Sequence, residues 1–165
     1  METFGPAAYS NHESIAVNKP FNKILLIDDD EDVLLGARLL LKQHTARLDT
    51  EKDPRMIPSL LKNETYDLIL LDMNFRSGDN SGNEGLYWLS EIQKADTLVS
   101  VIMITAYGDI DLAVRAIKDG ATDFIAKPWD AEKLIITVKN ALKLRNSKLA
   151  FTRVKILGLK ESGLI

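Results

Sequence analysis

Three short runs of apolar residues limit what this chain can fold into. Residues 23–27, 67–71 and 99–104 contain the segments ILLI, LILL and VIMI, which hold no polar residue. Runs without polar alternation are typical of parallel strands that are covered on both faces. Segments with helical periodicity separate these runs along the chain, so the sequence predicts an α/β fold.

Five strands are predicted to alternate with five helices. Weaker strands at residues 47–50 and 123–126 complete the set. The helices are expected at about 30–44, 57–63, 84–94, from 110 to a stop at Gly120, and from 130 to 149 or beyond. The second begins at 57 because Pro58 would break a helix that started at Pro54. The fold class is a flavodoxin-like, doubly wound five-stranded parallel sheet, for which the order 2-1-3-4-5 is the commonest.

Apolar residues at helical spacing predict which helix faces are buried. In the fourth helix the buried stripe is expected to be Ile110, Val114 and Ile117, and Gly120 is expected to end the helix in a left-handed conformation. In the fifth helix the corresponding stripe is Leu134, Ile135, Val138 and Leu142.

The length and composition fit one domain with tails. A chain of 165 residues that is 45% hydrophobic can bury one good core, but has no room for two domains of ordinary size. Residues 1–20 are polar and aperiodic, and we expect them to form a flexible N-terminal arm. The folded domain is expected at 21–145, followed at 146–165 by a helical linker or the start of an output region.

Composition also disfavours several functional classes. A net charge of −3 gives the average surface no electrostatic reason to bind nucleic acid or an anionic membrane. No stretch approaches the roughly 20 apolar residues that span a bilayer, and the N-terminus lacks the pattern of a signal peptide. The chain has no cysteine, which excludes disulfides and thiolate metal sites and fits the cytoplasmic location that we expect.

The residues that end the predicted strands carry the chemistry. Ligands of a doubly wound sheet bind outside the carboxyl ends of its strands. These ends hold Asp28, Asp29, Asp30, Asp72, Thr105 and Lys127. Carboxylates that are brought together repel one another and need a compensating cation. Ligation by oxygen alone points to Mg²⁺, or to Mn²⁺.

Asp72 is the candidate nucleophile of this group. Mg²⁺ usually takes one or two carboxylates, which leaves another free to attack phosphorus and form an aspartyl phosphate. Lys127 would neutralise charge on the phosphoryl oxygens, and the Thr105 hydroxyl would donate to one of them. Each residue alone has an ordinary structural explanation, but four such signals at four strand ends favour a site.

The strand-end motifs resemble the receiver domain of two-component response regulators. ILLIDDDEDV, YDLILLD, VIMITAYGD and GATDFIAKPW are similar to successive motifs of that family, over residues 21 to about 145. TAYGD, AVRAIKDGATDF and KPW are most similar to receivers fused to sigma-54-dependent transcription activators. The resemblance implies the following site residues: a phosphoacceptor at Asp72, metal-site carboxylates at Asp28 and Asp29, a metal contact from the backbone carbonyl of Asn74, a phosphate-binding Lys127, and a switch pair at Thr105 and Phe124.

The resemblance also implies partners and an output. A sensor histidine kinase or phosphotransfer protein would supply the phosphoryl group from a phosphohistidine, with Mg²⁺ required. Phosphorylation would draw Thr105 inward, let Phe124 repack and change the surface formed by helix 4, strand 5 and helix 5. A homodimer could form through that surface or through the C-terminal helix. The role is that of a switch, with transcription as the expected output, although the domain would catalyse its own phosphorylation and dephosphorylation.

The loop after Asp72 departs from the family's pattern. Receivers usually carry a proline four residues and a glycine eight residues beyond the phosphoacceptor, where this chain has Arg76 and Asn80. Aligning GLYWLSEI with the family's third helix places the glycine at Gly85, so the loop is about five residues longer than usual. One hypothesis is that the loop gates kinase access, and the simpler one is that it is a tolerated insertion.

Three other functions can be weighed against the same residues. DMNFRSGDNSGNE has a passing likeness to an EF-hand calcium loop, but the register fails at Arg76, Ser77 and Asn83. A flavin-nucleotide binder would need hydroxyls and glycines after strand 1, where this chain has DDDED. The remaining alternative is a stand-alone or unphosphorylated interaction module, which the intact set of site residues disfavours.

The C-terminal helix carries a weak heptad pattern. Its apolar members are Ile135, Leu142, Leu149 and Ile156, and Gly158 interrupts the seam. The positive charges of this segment are expected on a solvated face. The sequence holds no phosphate loop of the GxxxxGK type and no complete helix-turn-helix, so we expect this chain to make no direct contact with nucleic acid.

Overall fold

A computed structural model of the chain describes residues 21–75 and 81–164. The predicted arm at 1–20 and the middle of the long loop, 76–80, lie outside the described residues. The strands are β1 (Phe21–Ile27), β2 (Thr45–Glu51), β3 (Leu68–Asp72), β4 (Ser100–Ala106) and β5 (Asp123–Lys127). The helices are α1 (Glu31–Leu41), α2 (Ile57–Asn63), α3 (Asn83–Ala95), α4 (Ile110–Lys118) and α5 (Ala131–Glu161), with a 3-10 turn at Pro54–Met56 before α2.

The five strands form one parallel sheet in the order β2-β1-β3-β4-β5. Ile24 and Leu26 of β1 pack under α1 and α5, whereas Leu25 and Ile27 pack under α2, α3 and α4 on the other face. Because successive strand residues point to opposite faces, each apolar run contributes to both layers of the core. The predicted fold class and strand order are therefore confirmed.

Two prolines shape the entry to α2. The Asp53 side chain accepts a hydrogen bond of 3.0 Å from the Arg55 N–H and caps the 3-10 turn, which has Pro54 in its first positions. A separate helix then begins at Ile57, with Pro58 in its first turn, where a missing N–H costs no hydrogen bond. The predicted start of this helix at residue 57 is confirmed.

The predicted buried stripe of α4 is wrong. Ile110, Val114 and Ile117 are 67%, 45% and 41% exposed, and the helix instead buries Ala113 and Ala116. Small side chains at the contact let the helix lie close to the sheet, which leaves its larger apolar residues on the outer flank. The left-handed stop at Gly120 is present, with φ of 105°.

Helix α5 runs for 31 residues. Its predicted stripe packs against the sheet as far as Leu142, with Ile135 only partly buried. Beyond the core, Arg145 reaches back to Asp67 at 3.0 Å, and the Asp67 carboxylate also accepts the Lys23 N–H at 2.9 Å. This pair ties the helix to the starts of β1 and β3. Among the described helices, none has the length and apolarity that crossing a lipid bilayer requires.

Gly85 provides a test of the packing between α3 and β3. A Cβ atom there would lie 2.5 Å from Met73 Cα and 2.6 Å from the Met73 carbonyl oxygen, both of them backbone atoms. Gly85→Ala is expected to lower the free energy of unfolding by roughly 2 kcal/mol or more, because α3 must move away from the strand. Urea unfolding measures the change.

Gly36→Ala is the matched control. Gly36 lies in α1, and a Cβ there would meet no atom within 4 Å. Alanine should therefore raise the free energy of unfolding by about 0.5 to 1 kcal/mol, because glycine is the poorer helix former. Changes of the same sign in the two variants would contradict the close approach of α3 to β3.

Candidate functional site

Three carboxylates and one lysine meet at the carboxyl edge of the sheet. Oxygens of Asp28, Asp29 and Asp72 lie within 4.8 Å of one another. Lys127 Nζ is 2.8 Å from Asp28 Oδ2 and 3.4 Å from Asp72 Oδ1. Asp28 and Asp72 are buried, Asp29 is exposed, and Lys127 is partly exposed. The structure thus brings together four side chains that the sequence placed at three strand ends.

The backbone beyond β1 fixes the direction of Asp28. Its N–H donates to the Glu51 carbonyl at 3.1 Å, which extends the β1–β2 ladder by one residue. Its Oδ1 accepts the Asp30 N–H at 2.9 Å. Asp30 belongs to the next element, because its own carboxylate accepts the N–H of Asp32 at 2.9 Å and caps α1. Of the three consecutive aspartates, Asp28 and Asp29 therefore face the site.

The end of β3 is fixed by β4. Asp72 lies opposite Ile104 in the ladder, and the Met73 N–H donates to the Ile104 carbonyl at 3.0 Å. Asn74 follows, and its backbone N–H opposes the rise in the pKa of the Asp72 carboxyl. Its side-chain Oδ1 accepts the Gly82 N–H at 2.7 Å.

Thr105 and Phe124 lie on neighbouring strands beside this cluster. Thr105 is a buried residue of β4, paired with Ala126 of β5. Phe124 lies on β5 and is 40% exposed. A cavity of about 250 Å³ at the β4–α4 connection is lined by both residues and by Tyr107 and Ile110. The threonine and the phenylalanine thus face one cavity in the described structure.

Burial controls the ionisation of the cluster. Burial, followed by the nearby Asp28 carboxylate, raises the pKa of Asp72 to about 7 against the opposing effect of Lys127. Burial also raises the pKa of Asp28, although hydrogen bonds from Lys127 and from the Asp30 N–H oppose it. Burial disfavours the charged form of Lys127, but its hydrogen bond to Asp28 and the charge of Asp72 outweigh this and raise its pKa.

The donor set fits a hard divalent cation. Two buried carboxylates and one exposed carboxylate face a single lysine, so the fully ionised cluster carries excess negative charge. One carboxylate oxygen of each residue lies within 4.8 Å of the others, and the exposed side at Asp29 is open to water ligands. Oxygen ligands with open positions for water are what small hard cations take in proteins.

Sequence reasoning missed a second surface beside Lys127. A groove of about 390 Å³ runs from the start of α1 to the β5–α5 connection and is lined by Asp30, Asp32, Val33, Gly36, Lys127, Pro128 and Trp129. The sequence assigns a chemical role to Lys127 of the KPW motif, but none to Pro128 or Trp129. Its proline and its half-buried tryptophan form an apolar wall next to the acidic cluster.

Comparison with known proteins places the chain among signalling domains. Residues 24–139 match the response regulator receiver domain family. The response regulator protein PilR of Pseudomonas aeruginosa is 36% identical over 124 residues, which are 75% of this chain and 27% of that protein. The phosphoglycerate transport system transcriptional regulatory protein PgtA of Salmonella typhimurium is 34% identical over 77% of this chain and 29% of its own length. The chain thus spans less than a third of these relatives.

Solved structures agree with this comparison. The N-terminal signal receiver domain of a two-component response regulator from Bacteroides fragilis is 44% identical, with a TM-score of 0.67 over 74% of this chain and 97% of that one. NtrX from Brucella abortus is 30% identical, with a TM-score of 0.72 over 80% of this chain and 29% of that one. A CheY-like receiver from Methanospirillum hungatei, 22% identical, shares the fold with a TM-score of 0.68 over 78% of this chain and 98% of that one.

The buried charge of Asp72 should make the metal-free protein sensitive to pH. Between about pH 4 and pH 7 the folded state keeps the Asp72 proton that the unfolded state has lost, so stability falls as pH rises through this window. Asp72→Asn removes the buried charge. It should stabilise the metal-free protein at pH 8, by at most roughly 4 kcal/mol, and the gain should vanish toward pH 4.

Thermal or urea unfolding from pH 4 to pH 8 in the presence of a chelator measures this difference. Asp119→Asn is the control, since Asp119 is exposed at the end of α4 and should change stability little at any pH. A gain for Asp72→Asn that is independent of pH, or that grows toward low pH, would contradict the assignment of buried charge repulsion.

Proposed function

The chain belongs to the response regulator receiver domain family, and we propose that Asp72 is its phosphoacceptor in a two-component phosphorelay. The observation that carries this proposal is the contact of one lysine, Lys127, with two buried carboxylates, Asp28 and Asp72. The lysine neutralises charge where a phosphoryl group would add more. Such a cluster is poised for phosphoryl transfer, in which catalysis consists mainly of positioning and charge stabilisation.

Mg²⁺ is the cation that we assign to the site, with Mn²⁺ as a substitute. Asp28, Asp29 and Asp72 would hold it together with the backbone carbonyl of Asn74. When bound, the ion supplies positive charge to the carboxylates and to the phosphoryl oxygens. Because Mg²⁺ keeps several waters and takes few carboxylates, one Asp72 oxygen stays free to react.

The free Asp72 oxygen acts as the nucleophile. It attacks the phosphorus of a phosphohistidine, so that an O–P bond forms while the P–N bond breaks and the imidazole leaves with the electron pair. Lys127 exchanges part of its contact with Asp28 and Asp72 for a phosphoryl oxygen. The Thr105 hydroxyl donates a hydrogen bond to another oxygen as the strand end adjusts. Hydrolysis of the acyl phosphate by water returns the carboxylate.

The partner kinase or phosphotransfer protein must present its histidine next to Asp72. The groove beside Lys127 supports an approach from the α1 side, because its wall of Val33, Pro128 and Trp129 is apolar and borders the acidic cluster. An apolar wall beside a charged centre suits a partner that brings one phosphorylated side chain on an apolar surface. We infer that this groove is where the donor protein docks.

The output surface lies on the other side of the site. Thr105 and Phe124 line the same cavity, and Ile110, Val114 and Ile117 expose apolar side chains on α4 nearby. Movement of Thr105 toward a phosphoryl group lets the Phe124 ring enter the cavity. This repacking changes the apolar surface of α4 and β5, which a partner or a second copy of the chain would sense.

Self-association is better supported on α4 and β5 than on the heptad seam of α5. Two members of that seam, Ile135 and Leu142, pack against the core, which leaves Leu149 and Ile156 beyond it. Two positions are too few for a stable coiled coil. The relatives PilR and PgtA are named as a response regulator and a transcriptional regulatory protein, and we infer that regulation of transcription is the output of the protein that contains this chain.

Incubation with a small acyl phosphate and Mg²⁺ tests the phosphoacceptor. The wild-type chain is expected to gain an acid-stable, base-labile phosphate that is absent from Asp72→Ala. Lys127→Ala should lower the rate about 100-fold or more, because it removes a charge that stabilises the transferring group. Mass spectrometry of the intact protein and of its peptides measures both effects.

Asp119→Ala is the control for that experiment, since Asp119 is an exposed aspartate at the C-cap of α4 and ends no strand. It should be phosphorylated like the wild type. Failure of well-folded wild-type protein to take phosphate, or phosphate retained in Asp72→Ala, would overturn the proposed role of Asp72.

A beryllium fluoride complex, an analogue of the phosphoryl group, tests the coupling of Thr105 to Phe124. In protein labelled with fluorinated phenylalanine, the Phe124 resonance should shift and lose solvent contact when the analogue binds. Thr105→Ala should abolish the shift while Asp72 still binds the analogue. Thr137→Ala, which removes a hydroxyl that donates within α5 to the Lys133 carbonyl, should leave the shift intact. A full shift in Thr105→Ala would refute the coupling.

A further inference from the structure

The residue two beyond Asp72 is tied through its side chain to the N-cap of α3. The Asn74 side chain accepts a 2.7 Å hydrogen bond through Oδ1 from the N–H of Gly82. Asn74 therefore joins the end of the strand that carries Asp72 to Gly82, the N-cap residue of α3.

Gly82 is itself fixed by its surroundings. Its φ of 72° lies in the left-handed region, and a Cβ atom would lie 2.6 Å from Leu112 Cδ2 and 3.0 Å from Met73 Cε. Its carbonyl accepts the Leu86 N–H at 3.0 Å and so opens α3. Glycine alone meets both the backbone and the packing requirement. Through Gly82, which lies against Leu112 of α4, the Asn74 side chain is anchored to the start of α3.

The same hydrogen bond closes the base of the long loop. Phe75, on the outgoing side, is buried in the core, and Gly82, on the returning side, is buried against Leu112. The loop is about five residues longer than the family pattern, so its covalent closure restricts the conformation of the chain after Asp72 less strongly. A side-chain hydrogen bond across the base of the loop restricts that conformation directly.

We propose that Asn74 is a positioning residue, whose side-chain bond to Gly82 holds the chain after Asp72 in the geometry that binds the divalent cation. The inference rests on the proposed function, in which the backbone carbonyl of Asn74 is a ligand of Mg²⁺. Without the bond, Asn74 would become ordered only when the metal binds. The entropy lost in that ordering would make the free energy of Mg²⁺ binding less favourable. Loss of an outer-shell partner of this kind typically weakens metal binding by about 10- to 100-fold.

The coupling is reciprocal. If the Asn74–Gly82 bond favours Mg²⁺ binding by some factor, then Mg²⁺ must stabilise that bond by the same factor. Hydrogen exchange of the Gly82 amide reports the bond without any phosphorylation. We therefore expect saturating Mg²⁺ to slow exchange of the Gly82 amide in the wild-type protein by about tenfold.

Three variants test the assignment. Asn74→Ala removes the acceptor and should weaken Mg²⁺ binding about tenfold, measured by calorimetric titration with the metal alone. The Gly82 amide should then exchange faster, as followed by NMR. Asn74→Asp keeps an acceptor at the same place and should keep both the Gly82 protection and Mg²⁺ binding no weaker than in the wild type. Asn83→Ala, an exposed asparagine at the start of α3, should match the wild type in both measurements.

The outcomes separate this inference from the proposed function. Unchanged Mg²⁺ affinity in folded Asn74→Ala would overturn the positioning role and leave the phosphoacceptor role standing. Wild-type protein that binds no Mg²⁺ would overturn both. A purely structural role would lower the melting temperature of Asn74→Ala without changing its Mg²⁺ affinity. If Asn74→Ala does not fold, exchange in the wild type decides, since a Gly82 amide that is insensitive to Mg²⁺ contradicts the coupling.

Discussion

The contact of Lys127 with Asp28 and Asp72 is the interaction on which the site depends. It joins the end of β5 to the ends of β1 and β3, across the carboxyl edge of the sheet. Two carboxylates are buried there with one cation, a balance that leaves negative charge uncompensated. This electrostatic repulsion is unfavourable, and the hydrophobic layers on both sides of the sheet offset it and hold the strand ends in place.

That uncompensated charge gives the site its chemistry. In the function that we propose, a divalent cation would relieve the repulsion, and a phosphoryl group would then meet a lysine, a metal and a hydroxyl. Two surfaces border the site on different sides. The groove at Trp129 lies on the α1 side of Lys127, and the exposed apolar flank of α4 lies beyond Thr105 and Phe124. The donor-docking and output surfaces that we propose therefore lie on separate faces.

Much of this arrangement could be predicted from particular residues. The apolar runs gave the parallel sheet, and strand ends of a parallel sheet share one edge, so Asp28, Asp72 and Lys127 could be expected together. The buried face of α4 could not be predicted. Ile110 and Ala113 lie on adjacent faces of the helix, and periodicity alone does not decide which of these faces packs against the sheet. Asp30 stands at the same strand end as Asp28 and Asp29, but its carboxylate caps α1, in agreement with a first helix that starts at about residue 30. The Asn74–Gly82 bond spans eight residues and has no local signature.

The amino-acid sequence by itself determined the fold class, the order of chemical groups along the chain and the family pattern, because these follow from local periodicity and from which residues end each strand. Only the tertiary structure decided which aspartates share the lysine, how far burial raises the pKa of Asp72, which side of α4 meets solvent and what the Asn74 side chain binds. These depend on distances between residues far apart in the chain and on exclusion of water. Both are set by packing.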